Sequence, residues 1–294
     1  MDKIIRCITS DGSLMASAID SSDLVFTAQE LHKLTKTTAA ALGRLLTGAS
    51  IMGAMLKSSK ANLTLKVNGG GAIDNLIARA DAKGNVRGYV DHPEVDLEIR
   101  ADGKIDVGKA VGKDGKFAVI RDEGSGEPYM GFIELVSGEI AEDITAYYAQ
   151  SEQIPSVCAL GVLVDQEDGK VILAGGMLIQ VLPGADEECI TKLEKNIQEM
   201  DSATTMLAKG MTPLEMCETA LAGFEVEVLD TFDVNYVCNC SKERFSEILT
   251  TIGADDVRDI PLVKDGKAEM VCQYCSRHYY FSKEELDKIA DSMQ

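Results

Sequence analysis

Tryptophan is absent and aromatic residues make up only 5% of the chain, so its core must be built from aliphatics, alanine and methionine rather than from rings. Basic residues are also in deficit, with 29 Lys and Arg against 48 Asp and Glu and a formal charge of -19. Such an anionic surface repels phosphate backbones, so no nucleic acid is expected as a partner. It also keeps a protein with apolar patches in solution. No run approaches the roughly 18 apolar residues that cross a bilayer. Met1 to Ser10 is strand-like and lacks the apolar region of a secretory signal. No membrane partner is expected, and the chain reads as cytoplasmic.

Catalytic machinery is missing as well. The three histidines, His32, His92 and His278, form no His-Glu-x-x-His pair, and there is no Gly-x-Ser-x-Gly elbow. Asn68-Gly69-Gly70-Gly71 lacks the Lys-Ser/Thr that completes a phosphate loop, so it reads as a turn. Glu139, Glu142 and Asp143 read as a solvated helix face. No catalytic or cofactor-binding residue is assigned, and the chain is not expected to be an enzyme.

What is present is length, apolar content and cysteine. The 294 residues, 45% of them hydrophobic, exceed what one core usually needs and favour about two domains. Residues 1–181 read as an α+β core domain. Asp-Gly pairs at 11–12, 102–103, 114–115 and 168–169 suggest hairpins, and Leu63, Leu65 and Val67 alternate as on a half-buried strand. Thr27 and Glu30 read as a capping box opening one long helix to about Lys57. Its small residues, Ala39 to Ala41, Gly43, Gly48 and Gly53 among them, suit close packing on a sheet. Ile140, Ile144, Tyr147 and Tyr148 share a helical face, and Ile154 to Val181 is again strand-like.

Residues 182–230 read as a helical linker. Ile190, Leu193, Ile197 and Met200 recur at helical spacing, Gly210 closes a second short helix, and Thr212-Pro213-Leu214-Glu215 opens a third, with Leu214, Cys217 and Leu221 as its stripe. Met200, Met206, Met211 and Met216 add adaptable apolar surface, though an ordinary packed face explains the same pattern. Residues 231–294 read as a small C-terminal domain ending in a helix with a Ser282/Glu285 box and Leu286, Ile289, Ala290 and Met293 on one face.

That last unit holds Cys238-Asn239-Cys240 and Cys272-Gln273-Tyr274-Cys275, with 31 residues between the pairs. Two close cysteine pairs flanking a small module supply the four sulfurs of tetrahedral zinc, and cysteines in a reducing compartment are expected as thiols, ligands or sensors. The expected metal ligands are Cys238, Cys240, Cys272 and Cys275, with one zinc per chain. Lys242, Arg244, Arg277 and His278 either offset the thiolate charge or form a solvated basic patch. His278 is ranked low as a ligand, because four sulfurs complete the shell. Cys-x-Cys places two thiolates side by side, so an oxidised sulfur is readily captured by its neighbour. On chemistry alone the site is either a redox sensor or an inert structural zinc.

The chain resembles the redox-regulated, thirty-three-kilodalton heat-shock chaperone family. The resemblance rests on both cysteine pairs, on Cys240-Ser241-Lys242-Glu243-Arg244-Phe245 and Tyr280-Phe281-Ser282 beside them, and on Gly84-Asn85-Val86-Arg87-Gly88-Tyr89, Ser137-Gly138-Glu139-Ile140-Ala141-Glu142-Asp143 and Ser151-Glu152-Gln153-Ile154-Pro155-Ser156. Gly175-Gly176, Gln180 and Pro183 continue it, so it spans nearly the whole chain. It implies an ATP-independent holdase that is inactive while reduced and zinc-bound. Oxidation would then form disulfides Cys238–Cys240 and Cys272–Cys275, release zinc, unfold the C-terminal module and loosen the linker to hold unfolding clients. It also implies possible homodimers. Cys7, Cys158, Cys189 and Cys217 match none of its motif positions and read as buried small hydrophobes. The other classes weighed are a zinc-containing thiol-disulfide oxidoreductase, from the Cys272-x-x-Cys275 pair, and a structural zinc-ribbon binding protein, which the charge disfavours.

Overall fold

The N-terminal strand and its Asp11-Gly12 turn form as the pattern requires: β1 (Asp2–Thr9) and β2 (Leu14–Asp20) pair antiparallel, with Gly12 at φ 72°. A positive φ at this turn is what favours glycine there. The computed structural model describes residues 2–293. After β2 come α1 (Ser22–His32), α2 (Lys36–Ala54), β3 (Asn62–Gly70), β4 (Leu76–Asp81), β5 (Val86–Val90), α3 (Val107–Val111), β6 (Gly112–Asp122) and β7 (Tyr129–Glu134). There follow α4 (Ala141–Tyr147) with a π-helical turn over Tyr148–Glu152, then β8 (Ser156–Val164), β9 (Val171–Val181), α5 (Glu187–Glu199), α6 (Ala203–Ala208), α7 (Pro213–Ala220) and β10 (Val226–Val234). The fold class is α+β, and two compact units divide between Val237 and Cys238.

The first unit has two antiparallel five-stranded sheets, ordered β10-β1-β2-β9-β8 and β5-β4-β3-β6-β7. Helix α2 lies against strands of both. All its residues except Lys36 and Arg44 are buried, as befits a helix that is apolar or small all round. A Cβ on Gly48 would lie 2.5 Å from Ile144 Cδ1, which explains the small residues along α2: a larger side chain would push its neighbours away.

The other face of the first sheet is covered too. Leu14, Ala16, Ala18, Met177 and Ile179 share a second cluster with Leu193, Met206, Met216 and Leu221 from the helices α5 to α7. The helices expected after Pro183-Gly184 are therefore present and packed. Pro213 opens α7 behind a Thr212/Glu215 capping box. Thr231, the expected start of the last unit, lies inside β10, whose register on β1 runs from Val226↔Thr9 to Val234↔Asp2.

Several local expectations are corrected. The long helix anticipated from Thr27 is two helices: Lys33 adopts the left-handed region at φ 53° and ends α1, and Thr35 with Thr38 forms the capping box of α2. Thr27 sits inside α1, its hydroxyl donating to the Asp23 carbonyl. Asp114-Gly115 makes no hairpin but falls in an irregularity of β6, where Asn68 pairs with Lys116 and Gly69 with Gly112. Asn68 to Gly70 continue β3 instead of breaking it, since a Cβ on Gly69 would collide with the Gly112 carbonyl. Asp102-Gly103 turns back within a loop ahead of α3, with Gly103 N–H donating to the Arg100 carbonyl at 2.8 Å. Asp143 is not solvated. It is fully buried and accepts the backbone N–H groups of Val136, Ser137 and Ile140 at 2.8, 3.1 and 3.0 Å.

The second unit contains α8 (Lys242–Leu249), α9 (Ala254–Arg258), an antiparallel hairpin of β11 (Lys267–Val271) and β12 (His278–Ser282), and α10 (Lys283–Asp291). Ser282 and Glu285 box the start of α10. Its buried core is only Leu249, Val257, Ala268, Phe281, Leu286 and Ala290. Among the described residues no helix is long and apolar enough to cross a membrane.

Candidate metal centre

Each cysteine pair sits on a turn set by its flanking element. Val271 pairs with His278 at the turn end of the β11–β12 hairpin. The connection is tightened by Cys272 N–H donating to the Arg277 carbonyl (2.9 Å) and by Ser276 N–H donating to the Cys272 carbonyl (2.8 Å), with Ser276 left-handed at φ 56°. Cys238 and Cys240 lead directly into α8, which Ser241 caps by accepting from Arg244 N–H at 3.2 Å. The Arg244 guanidinium folds back and donates to the Asn239 carbonyl at 3.0 Å. These bonds shape both turns around the sulfurs.

The four Sγ atoms lie within 4.8 Å of one another. Cys238 and Cys272 Sγ are 3.7 Å apart, and Cys240 and Cys275 Sγ 3.4 Å. A tetrahedron with metal–sulfur bonds of about 2.3 Å has edges of about 3.8 Å, so the sulfurs already occupy the corners of a metal shell. All eight cysteines are free thiols. Among the described residues this is the one group of three or more His, Cys, Asp or Glu side chains placed to hold an ion. An all-sulfur, four-coordinate donor set suits zinc, and such a shell is closed to a substrate.

The surroundings are uneven in charge. Desolvation, the largest influence, pushes the Cys240 thiol up, but hydrogen bonds from Tyr279 and the other three cysteines outweigh it and bring Cys240 down to about 7. Burial raises Cys272 and Cys275. The group that sequence reasoning missed is Tyr279, whose hydroxyl donates to Cys240 Sγ at 3.1 Å and to its carbonyl at 2.9 Å while its ring packs on Phe245. Its position on β12, four residues past Cys275, was the available signal.

The four neighbouring basic residues do different things. Lys242 pairs with Glu285 at 2.7 Å, His278 Nδ1 meets Glu269 at 2.8 Å, and Arg244 clamps the first turn. Arg277 is held in its charged form by the Tyr279 hydroxyl first and by Cys240 and Cys275, which together raise its pKa. Replacing Tyr279 by Phe keeps the ring contact and removes the donor. With zinc as the ion, losing such an outer partner is expected to cost about tenfold or more in metal affinity, measured by chelator competition.

Cys7, Cys189 and Cys217 are buried between the first sheet and its helical cover, and burial pushes Cys158 up to about 12. Cys189 Sγ also donates to the Ser13 hydroxyl at 3.3 Å, and Cys7 and Cys217 are hydrogen-bonded to each other.

The family model described as Hsp33 protein matches residues 2–282. The 33 kDa chaperonin of Bacillus licheniformis is 42% identical over 293 residues, covering 100% of both chains. That of Clostridioides difficile strain 630 is 44% identical over 292 residues, covering 99% of each. A crystal structure of the 33 kDa chaperonin (heat shock protein 33 homolog) of Thermotoga maritima superposes with a TM-score of 0.88 at 33% identity, covering 99% of this chain and 98% of that one.

Proposed function

The chain belongs to the Hsp33 family, and from that premise we propose that it is a redox-regulated, ATP-independent holdase of the cytosol, not an enzyme. The observation that carries the reading is the gathering of four free sulfurs, from two distant turns, in a unit with a six-residue buried core. One zinc per chain, held by Cys238, Cys240, Cys272 and Cys275, joins those turns and keeps the sulfurs as thiolates when bound.

Oxidation is proposed to pair Cys238 with Cys240 and Cys272 with Cys275. In each pair one sulfur attacks peroxide, the O–O bond breaks, and a sulfenic acid forms with loss of hydroxide. The neighbouring sulfur then closes the S–S bond and expels the remaining oxygen as hydroxide or water. Each pair gives two electrons to one peroxide. With its four sulfurs taken up in disulfides the site would no longer hold zinc, and the second unit would then melt and the helical layer of residues 182–230 loosen to expose apolar surface for unfolding clients. Association of two copies belongs to the same reading.

Placement of Cys272 and Cys275 in a β-hairpin argues against an oxidoreductase, whose Cys-x-x-Cys pair belongs at a strand-to-helix junction. The test is zinc content and suppression of client aggregation, compared in reduced and peroxide-treated protein at mildly raised temperature. About one zinc per chain should be released as holding activity appears. Equal holding activity in both forms would defeat the switch.

A further inference from the structure

Two thiols outside the metal centre meet inside the first unit. Cys7 on β1 faces the helical cover of the first sheet, and Cys217 on α7 meets it from the cover. Both are fully buried, and their sulfurs are hydrogen-bonded to each other. Small neighbours make the approach possible. Ala16 stands opposite Cys7 on β2, and Ala18 and Ala220 belong to the same cluster. In a close-packed interior such residues let a strand and a helix come together until two short side chains touch. A buried cysteine alone is a small apolar side chain, but two sulfurs in contact are also the reactants of a disulfide. They must close to about 2.05 Å to bond, a travel within reach of side-chain rotation and a small slide of the eight-residue α7.

The pair is asymmetric. The Cys217 thiol donates to the Cys7 sulfur, a bond that holds Cys7 below its ordinary pKa and raises Cys217. Cys7 is therefore the sulfur disposed to become a thiolate, and Cys217 carries the hydrogen. Position gives the pair its consequence. Cys7 belongs to a strand paired on both edges, with β2 and β10, and stays where the sheet holds it. Cys217 rides on α7, within the 182–230 layer. A bond between them encloses residues 8–216, and long loops are where a cross-link restrains a chain most.

We propose that Cys7 and Cys217 form a disulfide under sustained peroxide exposure, stapling α7 to β1 and limiting how far the helical layer opens. The effect on opening rests on the holdase reading; the disulfide itself does not. Peroxide cannot reach either sulfur while α7 is seated, so the first step follows a local opening of that helix. The Cys7 sulfur attacks peroxide, the O–O bond breaks, and a sulfenic acid forms as one water leaves. When α7 reseats, the Cys217 sulfur attacks the sulfenic sulfur. The S–S bond forms, the S–O bond breaks, and a second water leaves with the Cys217 hydrogen. Two thiols have then given two electrons to one peroxide. The bond closes only with α7 in place, so it traps the seated state. Cys238, Cys240 and Cys275 in the metal centre are only part-buried. Brief oxidation therefore trips the proposed switch, and sustained oxidation restrains it.

The test treats the full-length chain with hydrogen peroxide at mildly raised temperature, then alkylates and digests it without reductant. Mass spectrometry of the wild-type chain should find a Cys7–Cys217 cross-linked peptide, appearing after zinc is released. Cys7 and Cys217 found only alkylated, or only in other pairings, overturn the proposal, and this readout needs no variant. Hydrogen exchange is then followed in α5 and α7. In the oxidised wild-type chain α5 should exchange faster than in the reduced one. Its α7 amides should stay about tenfold or more slower than those of oxidised Cys217→Ser or Cys7→Ala. Equal α7 exchange in oxidised wild type and folded variants overturns the staple. Both variants should also suppress client aggregation more strongly than wild type after the same treatment; equal suppression overturns the limit on opening. If α5 gains no exchange in any oxidised form, the loosening invoked by the holdase reading fails, while the peptide mapping still decides the disulfide.

Discussion

Stripping the metal from the reduced protein is expected to unfold residues 238–293 while the first unit keeps its structure. The unit's buried core is Phe281 with five aliphatic or alanine side chains, two of them alanines, and a domain of this size draws only about 3–5 kcal/mol from its core. Structural zinc contributes about 10–16 kcal/mol. Removing the larger quantity from a sum in which the smaller barely offsets chain entropy leaves no folded state. Hydrogen exchange after chelator treatment should show the amides of β11, β12 and α10 losing protection while β2, β9 and α2 retain theirs. Cys272→Ser should give the same pattern without chelator, because three sulfurs and a hydroxyl hold zinc far less well. A metal-free tail that stayed protected would remove the basis of the proposed switch.

The second large effect is expected in the first unit. Asp143→Ala deletes a carboxylate that accepts three backbone N–H groups from the loop ahead of α4. The Ile140 N–H would be left buried without a partner, at about 1–3 kcal/mol. The part-exposed Val136 and Ser137 N–H groups would each lose a hydrogen bond to a charged group. A loss of about 2 kcal/mol or more is therefore expected, a large share of an ordinary domain's stability. Ile140, held at φ 68° beside this carboxylate, is the residue most exposed to the change. The measurement is urea denaturation followed by a probe confined to residues 2–237. A shift within about 0.5 kcal/mol would mean that Asp143 is replaceable and the loop is held by other contacts.

That carboxylate also shows where the sequence was silent. Glu139, Glu142 and Asp143 are all carboxylates within five positions, and nothing in the residue types says which of the three turns inward. Glu139 pairs with Arg44, almost a hundred positions away in the chain, and Asp143 caps a loop. Both depend on tertiary neighbours that periodicity does not encode. The Thr212/Glu215 and Ser282/Glu285 boxes were legible because capping is a contact among residues three apart. Thr27 and Glu30 carry the same letters and fail, because α1 begins at Ser22 and ends at a left-handed Lys33. The spacing of the cysteine pairs was legible for the opposite reason: a metal shell demands four ligands whatever the fold between them. Tyr279 was not, since its hydroxyl meets Cys240 only after β12 folds against the first turn.

One join in the first unit lies immediately ahead of the tail. Beyond β10 the chain does not swing free. Val86 N–H donates to the Asn235 carbonyl at 3.0 Å, Val237 N–H donates to the Val86 carbonyl at 2.8 Å, and the Tyr236 hydroxyl donates to the Gly88 carbonyl at 2.8 Å. Residues 235–237 thus buckle the edge of one sheet to the edge of the other, immediately before Cys238. Under the proposed switch, a peeling front that starts at the cysteines would have to undo this clasp, then β10 from its Val234 end, to pass along the chain toward the 182–230 layer. The irregular register between Arg6 and Cys7 offers a natural halting point partway along that seam.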